Sequence, residues 1–250
     1  MLQVTMLQPM RFETYAAHIQ ALPGTPSLSK ADLLCPAFRL YQDARLEIYY
    51  APFDYLNPRA KVVLVGVTPG WTQMEIAYRQ ARVGLHAGLA LPTMLDRIDE
   101  HASFAGAMRR NLVTMLDALA LPAHLGVPSS ASLFSTYRPL LHTTSAFRYP
   151  VFVHGRNCTG HTPKPLRMPA LLYDIEHLLA EELQQVPDAS IIPLGQSVST
   201  IIEYLAEAGR LDRSRCLLGF PHPSGANGHR GREFNERRER LTRSLKEWFA

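Results

Sequence analysis

The chain has 250 residues, of which 46 % are hydrophobic and 19 % are charged, and its formal net charge at pH 7 is +4. This composition is typical of a globular protein with a substantial core and excludes an intrinsically disordered chain. The small positive charge is compatible with a polyanionic partner but does not require one.

The cysteines and the N-terminus bear on the cellular compartment. Cys35, Cys158 and Cys216 are odd in number and far apart, which favours free thiols in a reducing compartment over a disulfide framework. Residues 1–10 contain neither a basic segment nor a long apolar run, so no signal peptide is expected. No segment approaches the roughly 18 apolar residues of a membrane span. We therefore expect a cytoplasmic protein that does not bind membranes.

The first 60 residues predict an N-terminal extension of helices and loops, packed on one domain that spans residues 1–250. Residues 10–22 have helical spacing and end at the turn pair Pro23–Gly24. A second short helix is expected at residues 27–34, and residues 52–58 are expected to form a loop.

A buried strand is predicted at Val62–Val65, within K-V-V-L-V-G-V-T-P-G-W at residues 61–71. An apolar run without polar alternation is typical of a strand buried on both faces of a parallel sheet. Pro69 and Gly70 end the strand, and residues 73–82 have a helix-forming composition. In open α/β sheets such a turn is where ligands bind, and the start of the helix suits an anion.

The rest of the chain alternates between helices and strands. Residues 83–103 are expected to be irregular, because Gly84, Gly88 and Pro92 interrupt any long element. The other predicted elements, in chain order, are a helix at 104–121, a strand at 140–147, a loop at 149–170, a helix at 170–185, a strand at 189–194, a helix at 197–208, a strand at 215–220 and a helix at 232–249.

This alternation predicts an α/β protein, a three-layer α/β/α fold with a central, mainly parallel four-stranded sheet. Right-handed crossovers place the carboxyl ends of all four strands at one edge of the sheet. We therefore expect the turns at residues 66–70, 142–145, 195–197 and 222–224 to converge on one cleft.

The residues of these four turns limit the chemistry of the cleft. None of the turns carries a carboxylate, which argues against ordinary acid–base hydrolysis and Mg²⁺ chemistry. The chain also contains no P-loop, dinucleotide fingerprint or nucleophile elbow. A histidine, several hydroxyls and backbone N–H groups remain. Such a set suits the stabilisation of a developing anion better than the delivery of a nucleophile.

Two of these turns resemble the signature motifs of the uracil-DNA glycosylase superfamily. G-V-T-P-G at 66–70 is similar to the turn after the first core strand of that family, and H-P-S at 222–224 is similar to the turn after the last. F-A-G at 104–106 is similar to its segment with a base-stacking aromatic residue, and I-P-L-G at 192–195 to its third strand end. The resemblance covers residues 60–245 in element order and makes the chain a divergent member.

The resemblance implies a role for each matching residue. His222 would donate a hydrogen bond to O2 of the base as the glycosidic bond breaks, and Phe104 would stack on the base flipped out of the DNA. Ser224 and the loop to Arg230 would follow the DNA strand, with phosphate contacts supplying most of the affinity. The implied substrate-binding residues are Gly66, Val67, Pro69, Gly70, Phe104, Thr143, Thr144 and Ser224, and those along the DNA backbone are Gly195, Gln196, Ser197 and Arg230.

The chain departs from the family pattern at three places. Thr68 stands where well-studied members carry Asp or Asn to place or activate the attacking water, and Val67 stands where some branches carry Glu. Thr143 or Thr144 occupies the position of an Asn that reads the base edge. A hydroxyl orients water but is a poor base, so the implied catalytic residues, His222 and Thr68, suit a dissociative cleavage step.

The resemblance thus implies a monofunctional DNA glycosylase that acts as a monomer, without a cofactor, on single- or double-stranded DNA. It would flip out a deaminated base such as uracil and hydrolyse its N-glycosidic bond. Three cysteines at the wrong spacing do not provide the four ligands of an iron–sulfur cluster, so none is expected. The alternatives are a catalytically weak or inactive relative that binds nucleic acid or a free base, and a small-molecule hydrolase.

Simpler interpretations of several residues remain open. His154, Cys158 and His161 have spacings that zinc ligands use, but they fall in a glycine-containing loop without a visible fourth ligand, so no metal is expected. Phe104 at a helix start could be a hydrophobic staple instead of a stacking residue. The many arginines of the C-terminal helix alternate with glutamates, as on a solvated face, and Arg230 is the one expected to contact phosphate.

Overall fold

The computed structural model describes residues 11–249. The predicted absence of a signal peptide concerns residues 1–10, which lie outside the described residues. The strands are β1 (Arg39–Gln42), β2 (Leu46–Tyr49), β3 (Val62–Gly66), β4 (Leu141–Ser145), β5 (Val151–Val153), β6 (Arg156–Asn157) and β7 (Ser190–Pro193). The helices are α1 (Phe12–Gln20), α2 (Lys30–Leu33), α3 (Trp71–His86), α4 (Leu91–Ala102), α5 (Ala107–Ala118), α6 (Leu121–Leu125), α7 (Pro169–Tyr173), α8 (Ala180–Gln184), α9 (Gln196–Glu207) and α10 (Arg230–Trp248). A π-helical segment, Asp174–Leu179, joins α7 to α8.

A parallel sheet in the order β4–β3–β7 forms the centre of this mixed α/β protein. Val62 lies opposite Leu141 on one side and Ser190 on the other, so the three strands begin at one level. Every residue of β3 is buried, as its unbroken apolar run predicts. The carboxyl ends of the strands therefore share one edge of the sheet.

The predicted fourth strand does not form as a full strand. Among residues 11–249 the central sheet has three strands, and the segment at 215–220 contributes only two parallel bridges, Ile191 to Cys216 and Leu194 to Phe220. The chain turns between these bridges, where Leu218 N–H bonds the carbonyl of Cys216 and Gly219 has a φ of +85°. A left-handed residue cannot continue a β-strand, so the ladder is interrupted there.

The two faces of the sheet contact two separate hydrophobic clusters. Val63 and Val65 belong to one cluster, which includes residues of α3 and α9. Val62 and Leu64 belong to the other, which includes residues of α5 and α10. Because side chains alternate along a strand, one buried strand serves both clusters. Burial of each of these side chains contributes about 1.5–3 kcal/mol to stability.

A second sheet, antiparallel in the order β1–β2–β5–β6, was not predicted from the sequence. Leu46 of β2 pairs with Val153, and within residues 11–60 the strands β1 and β2 accompany the expected helices and loops. The expected loop at 149–170 likewise contains the hairpin of β5 and β6. His154 and Gly155 form its two-residue turn with φ values of +49° and +72°, the conformation that two-residue hairpins prefer. The prolines of this region lie outside the hairpin.

Residues 83–103, expected to be irregular, are mostly helical. Helix α3 runs to His86, and α4 follows with Pro92 in its first turn, where a missing N–H costs little. Gly84 is a packing position, because a Cβ there would lie only 2.7 Å from Cγ of Met94. The glycine therefore allows α3 and α4 to approach closely and does not break the helix.

A buried ionic cluster joins the central sheet to α8. Oε1 of Glu182 lies 2.8 Å from Nε2 of His142 on β4, and Oε2 lies 2.8 Å from a guanidinium nitrogen of Arg148. Glu182 is only 4 % exposed. Burial alone would raise the pKa of this carboxyl, but Arg148 and His142 outweigh it and hold the pKa at about 2.

No helix among residues 11–249 combines the length and the apolar composition that crossing a bilayer requires.

Candidate functional site

A cleft of about 660 Å³ opens at the carboxyl edge of the central sheet. It is bounded by the turns after β3 and β7, by the segment after Phe220 and by the loop that follows β6. Ten of the fourteen site residues predicted from the sequence line it: Gly66, Val67, Thr68, Gly70, Phe104, Gly195, Gln196, Ser197, His222 and Ser224. The structure thus brings together three of the four turns that were expected to converge, and the fourth, at residues 142–145, reaches the cleft through Ser145.

His222 presents a defined proton arrangement to the cleft. The backbone N–H of Ser224 donates to Nδ1 of His222 at 3.3 Å, so Nδ1 holds a lone pair and the neutral ring carries its proton on Nε2. Burial, and to a lesser extent the nearby His161, lower the pKa of His222 below its usual 6.5. At neutral pH the ring is therefore an uncharged hydrogen-bond donor.

Side-chain amides hold the backbone around His222. Asn227 Nδ2 donates to the carbonyl of His222 at 3.3 Å, and Asn111 Nδ2 donates to the carbonyl of Pro223 at 2.9 Å. One donor, Asn111, precedes His222 in the sequence and lies in α5. The other, Asn227, lies in the loop that follows the turn. The turn is therefore preorganised.

Arg230, predicted to contact DNA phosphate, does not line the cleft. Its Nη1 donates to the carbonyl of Ser224 at 2.6 Å, from the first turn of α10. The guanidinium therefore positions the end of the His222 turn, and only its remaining N–H groups can reach a phosphate.

Gly195 makes room for His222. Its φ is +95°, and a Cβ at this position would lie 2.9 Å from Cβ of His222. Both facts require glycine, since an L side chain would be strained and would displace the histidine.

We expect Gly195→Ala to destabilise the protein by about 1–3 kcal/mol and to move the His222 ring. Denaturant unfolding and the His222 side-chain signals in NMR spectra measure the two effects. Gly225→Ala is the matched control, because a Cβ at Gly225 meets open space. Unchanged stability and unchanged His222 signals in Gly195→Ala would contradict the packing argument.

The hydroxyl of Thr68 forms two hydrogen bonds with backbone groups. Oγ1 donates to the carbonyl of Tyr149 at 3.0 Å and accepts from the N–H of Val151, also at 3.0 Å. It thereby fastens the first turn to the start of β5. Thr68 has no hydroxyl proton left to donate, and one lone pair remains to orient a water molecule.

Phe104 belongs to the segment between α4 and α5, and its side chain packs at the end of β3. Its backbone conformation is strained. Its φ is +51°, which costs a bulky residue about 1–3 kcal/mol. Its Cε1 would lie 3.0 Å from a Cβ at Gly66, so the ring packs directly over that glycine. Phe104 is 5 % exposed and lines the cleft with the small part of its surface that remains open.

The two threonines of β4 lie outside the cleft. Thr143 Oγ1 is 2.6 Å from Oδ1 of Asp99 and 2.9 Å from Oγ of Ser103. Thr143, Thr144 and Pro69 instead line an adjoining cavity of about 20 Å³, which shares Phe104 and Ser145 with the cleft and has room for about one water molecule. Their contact with substrate stays a prediction, since none of the three lines the cleft itself. Ser145 is the residue of β4 that reaches the cleft.

The hairpin of β5 and β6 brings Asn157 to the cleft, a residue that the sequence argument missed. Its Oδ1 accepts the backbone N–H of Trp71 at 3.1 Å and thereby caps α3. Its Nδ2 would lie 3.3 Å from a Cβ at Gly70, so it is close to the first turn. The dipeptide His154–Gly155, a hairpin-turn signal, could have indicated this placement.

The loop after β6 passes between two of the turns. Gly160 has a φ of +75°, and a Cβ there would lie 2.9 Å from Cγ1 of Val67 and 3.1 Å from Cβ of Ser197. Only glycine fits at this crossing. The loop carries Cys158, Thr159 and His161 to the cleft lining.

Helix α10 adds two charges that the sequence argument also missed. Glu233 and Arg237 line the cleft, so the cleft has a carboxylate even though the turns have none. Arg237 Nη1 donates to the carbonyl of Gly219 at 3.1 Å, and Glu233 Oε2 lies 3.5 Å from Nδ2 of Asn227. The four-residue spacing of Glu233 and Arg237 along the helix does not indicate that they line the cleft.

Two helix N-termini give the edge of the cleft partial positive charge. The N-termini of α3 and α9 begin at its edge, with Gly70 and Gly195 as the preceding residues. The first N–H groups of a helix have no partner within the helix and carry partial positive charge. Among residues 11–249, no group of three or more His, Cys, Asp or Glu side chains is arranged to hold a metal ion.

Comparison with known proteins identifies one relative by sequence. No protein-family model matches the chain, and no solved structure matches it. A Bacillus subtilis (strain 168) protein, described as the uncharacterized protein YoxB, is 42 % identical over 238 residues. The alignment covers 94 % of this chain and 92 % of YoxB, so the chain belongs to the same family as YoxB.

Proposed function

We propose that the protein is a monofunctional DNA glycosylase, a divergent relative of the uracil-DNA glycosylase superfamily that hydrolyses the N-glycosidic bond of a deaminated base. The observation that carries the proposal is the neutral His222 ring. Its Nε2 proton is available in the cleft that also contains the turn of Gly66 and the ring of Phe104. No cofactor is needed for this reaction.

The architecture supports the same proposal. The separate hydrophobic clusters on the two faces of the sheet fit a three-layer α/β/α arrangement of the kind the superfamily uses. The paired bridges at Cys216 and Phe220 would then mark the position of the fourth strand. We propose that residues 215–220 play this part in spite of the interruption at Gly219.

The cleft is suited to a flipped base. Its volume of about 660 Å³ falls within the range of small-molecule sites and exceeds what a single nucleobase occupies. Phe104 offers an aromatic surface at one side for stacking. Asn157, held by its bond to Trp71, supplies an amide that can read the base edge in place of Thr143 and Thr144.

The chemical contribution of His222 follows from its proton arrangement. When the glycosidic bond breaks, its electron pair moves into the base, and negative charge develops on a carbonyl oxygen of the base. A neutral imidazole N–H donating to that oxygen stabilises the charge, in the manner of an oxyanion hole. Because the turn is already held by Asn227 and Asn111, little reorganisation is required.

Contacts with DNA would lie around the mouth of the cleft. Gln196 and Ser197 open α9, where free backbone N–H groups suit a phosphate. Arg237 and the remaining N–H groups of Arg230 add positive charge nearby. Such contacts fix the position of the DNA strand without reading its sequence.

The proposal is tested by incubating the purified protein with oligonucleotides that carry uracil, hypoxanthine or xanthine, single- and double-stranded, and then treating them with alkali. We expect strand breaks at one of the damaged bases and none in the undamaged oligonucleotide. Intact strands on every substrate, with DNA binding retained, would overturn the enzymatic function.

One observation favours a second candidate, a catalytically weak relative that binds nucleic acid or a free base. The hydroxyl of Thr68 already donates one hydrogen bond to the backbone and accepts another. The residue at the position that usually activates the attacking water is therefore poorly suited to do so. This protein would bind DNA with strong salt dependence but release no base. A small-molecule hydrolase would show neither property.

A further inference from the structure

A second histidine of the cleft has the opposite proton arrangement to His222. Nδ1 of His161 lies 3.1 Å from the carbonyl oxygen of Thr159. A carbonyl oxygen only accepts, so Nδ1 carries the proton and the neutral ring has its lone pair on Nε2. His161 is thus a proton acceptor in a cleft where His222 is a donor.

The position of His161 is fixed by the loop that carries it. The N–H of Cys158 donates to the carbonyl of Val151 at 3.0 Å, at the base of the hairpin. Gly160 then packs between Val67 and Ser197. These contacts hold the backbone beside His161 against the first and third turns, and His161 lies close enough to His222 that its protonated form helps to lower the pKa of His222.

We propose that His161 is a catalytic residue of this cleft, the general base that takes a proton from the attacking water. This inference rests on the proposed N-glycosidic bond hydrolysis. Water oxygen bonds to C1′ of the deoxyribose, and the C1′–N bond breaks with its electron pair passing to the base. The water proton goes to Nε2 of His161 and afterwards neutralises the released base. The products are an abasic sugar and the free base.

The other polar groups of the cleft are less suited to this task. Thr68 has used its hydroxyl proton and is a poor base. Glu233 belongs to α10, next to Asn227 and the His222 turn, on the side of the leaving base. The remaining titratable or charged groups of the lining are His222, Cys158 and Arg237.

Single-turnover excision by His161→Gln tests the inference. We expect its excision rate to fall by about 10²–10⁴-fold, the usual contribution of a general base, with DNA affinity unchanged. His161→Ala should lose the same activity and regain part of it in the presence of imidazole. His154→Gln is the matched control, since His154 lies in the turn of the hairpin that precedes the loop of His161 and is outside the cleft.

An NMR measurement tests the paired proton arrangement without relying on excision. Side-chain ¹⁵N shifts should show the proton on Nδ1 of His161 and on Nε2 of His222, and His161→Gln should raise the pKa of His222. The same tautomer at both histidines would overturn the inference.

The kinetic outcomes separate this inference from the proposed function. An active wild-type protein whose activity survives His161→Gln but not Glu233→Gln would overturn the role of His161 and leave the proposed function standing. A wild-type protein that excises no base would overturn the proposed function and, with it, the catalytic role of His161.

Discussion

Replacing His222 with alanine is expected to lower the rate of base excision by about 10²–10³-fold, the usual cost of removing one donor to a developing anion. If the proposed function holds, affinity for DNA should change little, because affinity for DNA generally comes mostly from phosphate contacts, which would lie around the mouth of the cleft. Single-turnover excision and fluorescence anisotropy measure the two quantities separately.

His229→Ala is the control for this substitution, because His229 is exposed at the start of α10 and does not line the cleft. Circular dichroism should show that both variants are folded. Equal loss of excision and of DNA affinity in His222→Ala would indicate that the ring supports the structure of the turn and not the reaction. Undiminished excision would remove His222 from the mechanism.

Replacing Glu182 with glutamine is expected to destabilise the protein by about 3–5 kcal/mol, the usual cost of breaking a buried ion pair by changing one partner. The substitution keeps the shape of the side chain but removes the charge that faces Arg148 and His142. Urea unfolding of the variant and the wild type at pH 7 measures the difference. Glu181→Gln is the control, since Glu181 is exposed on the same helix.

The contribution of Glu182 also depends on pH. Its pKa in the folded protein is about 2, below the ordinary value of 4.5, so the folded state binds the proton less readily than the unfolded chain. The stabilisation is fully present above pH 4.5 and is lost as the pH falls towards 2. The difference in unfolding free energy between Glu182→Gln and the wild type should therefore shrink over this window. A difference that stays constant would contradict the assigned pKa.

Local sequence patterns predicted the framework of the cleft. The apolar run at Val62–Val65 and the proline–glycine turn after it identify a buried strand and its end without reference to the rest of the chain. The parallel connection rules then bring the turns at Gly195 and His222 to the same edge. Both inferences depend only on neighbouring residues and on the handedness of the chain.

The same patterns could not assign the side chains of β4. The first three residues of this strand are buried on both faces, so no alternation of polar and apolar residues shows which face belongs to the cleft. The family resemblance alone placed Thr143 or Thr144 at the position that reads the base edge, and it gave no sign that Asp99 and Ser103 bond the hydroxyl of Thr143. Only the partners across the fold determine this, and they lie about 40 residues away in the sequence.

The placement of Asn157 and His161 at the cleft could not be predicted for a related reason. It depends on a sheet whose strands pair across more than a hundred residues, from Ile48 to Val151. Short strands with so distant a partner leave little local signal. The two bonds of Thr68 were hidden likewise, because they go to Val151, the first residue of β5, and to Tyr149 in the loop before it.

The long-range pairing of β2 with β5 has a consequence for synthesis of the chain. Strand β2 emerges from the ribosome long before its partner, and its residues Leu46, Ile48 and Tyr49 are buried in the finished protein. Until Val151–Val153 has been translated, β2 can pair only with β1, and its other edge stays open beside these apolar residues, the type of surface that chaperones bind and that promotes aggregation. Fragments that end before residue 151 are therefore expected to be poorly soluble, whereas those that extend beyond the hairpin can cover this strand.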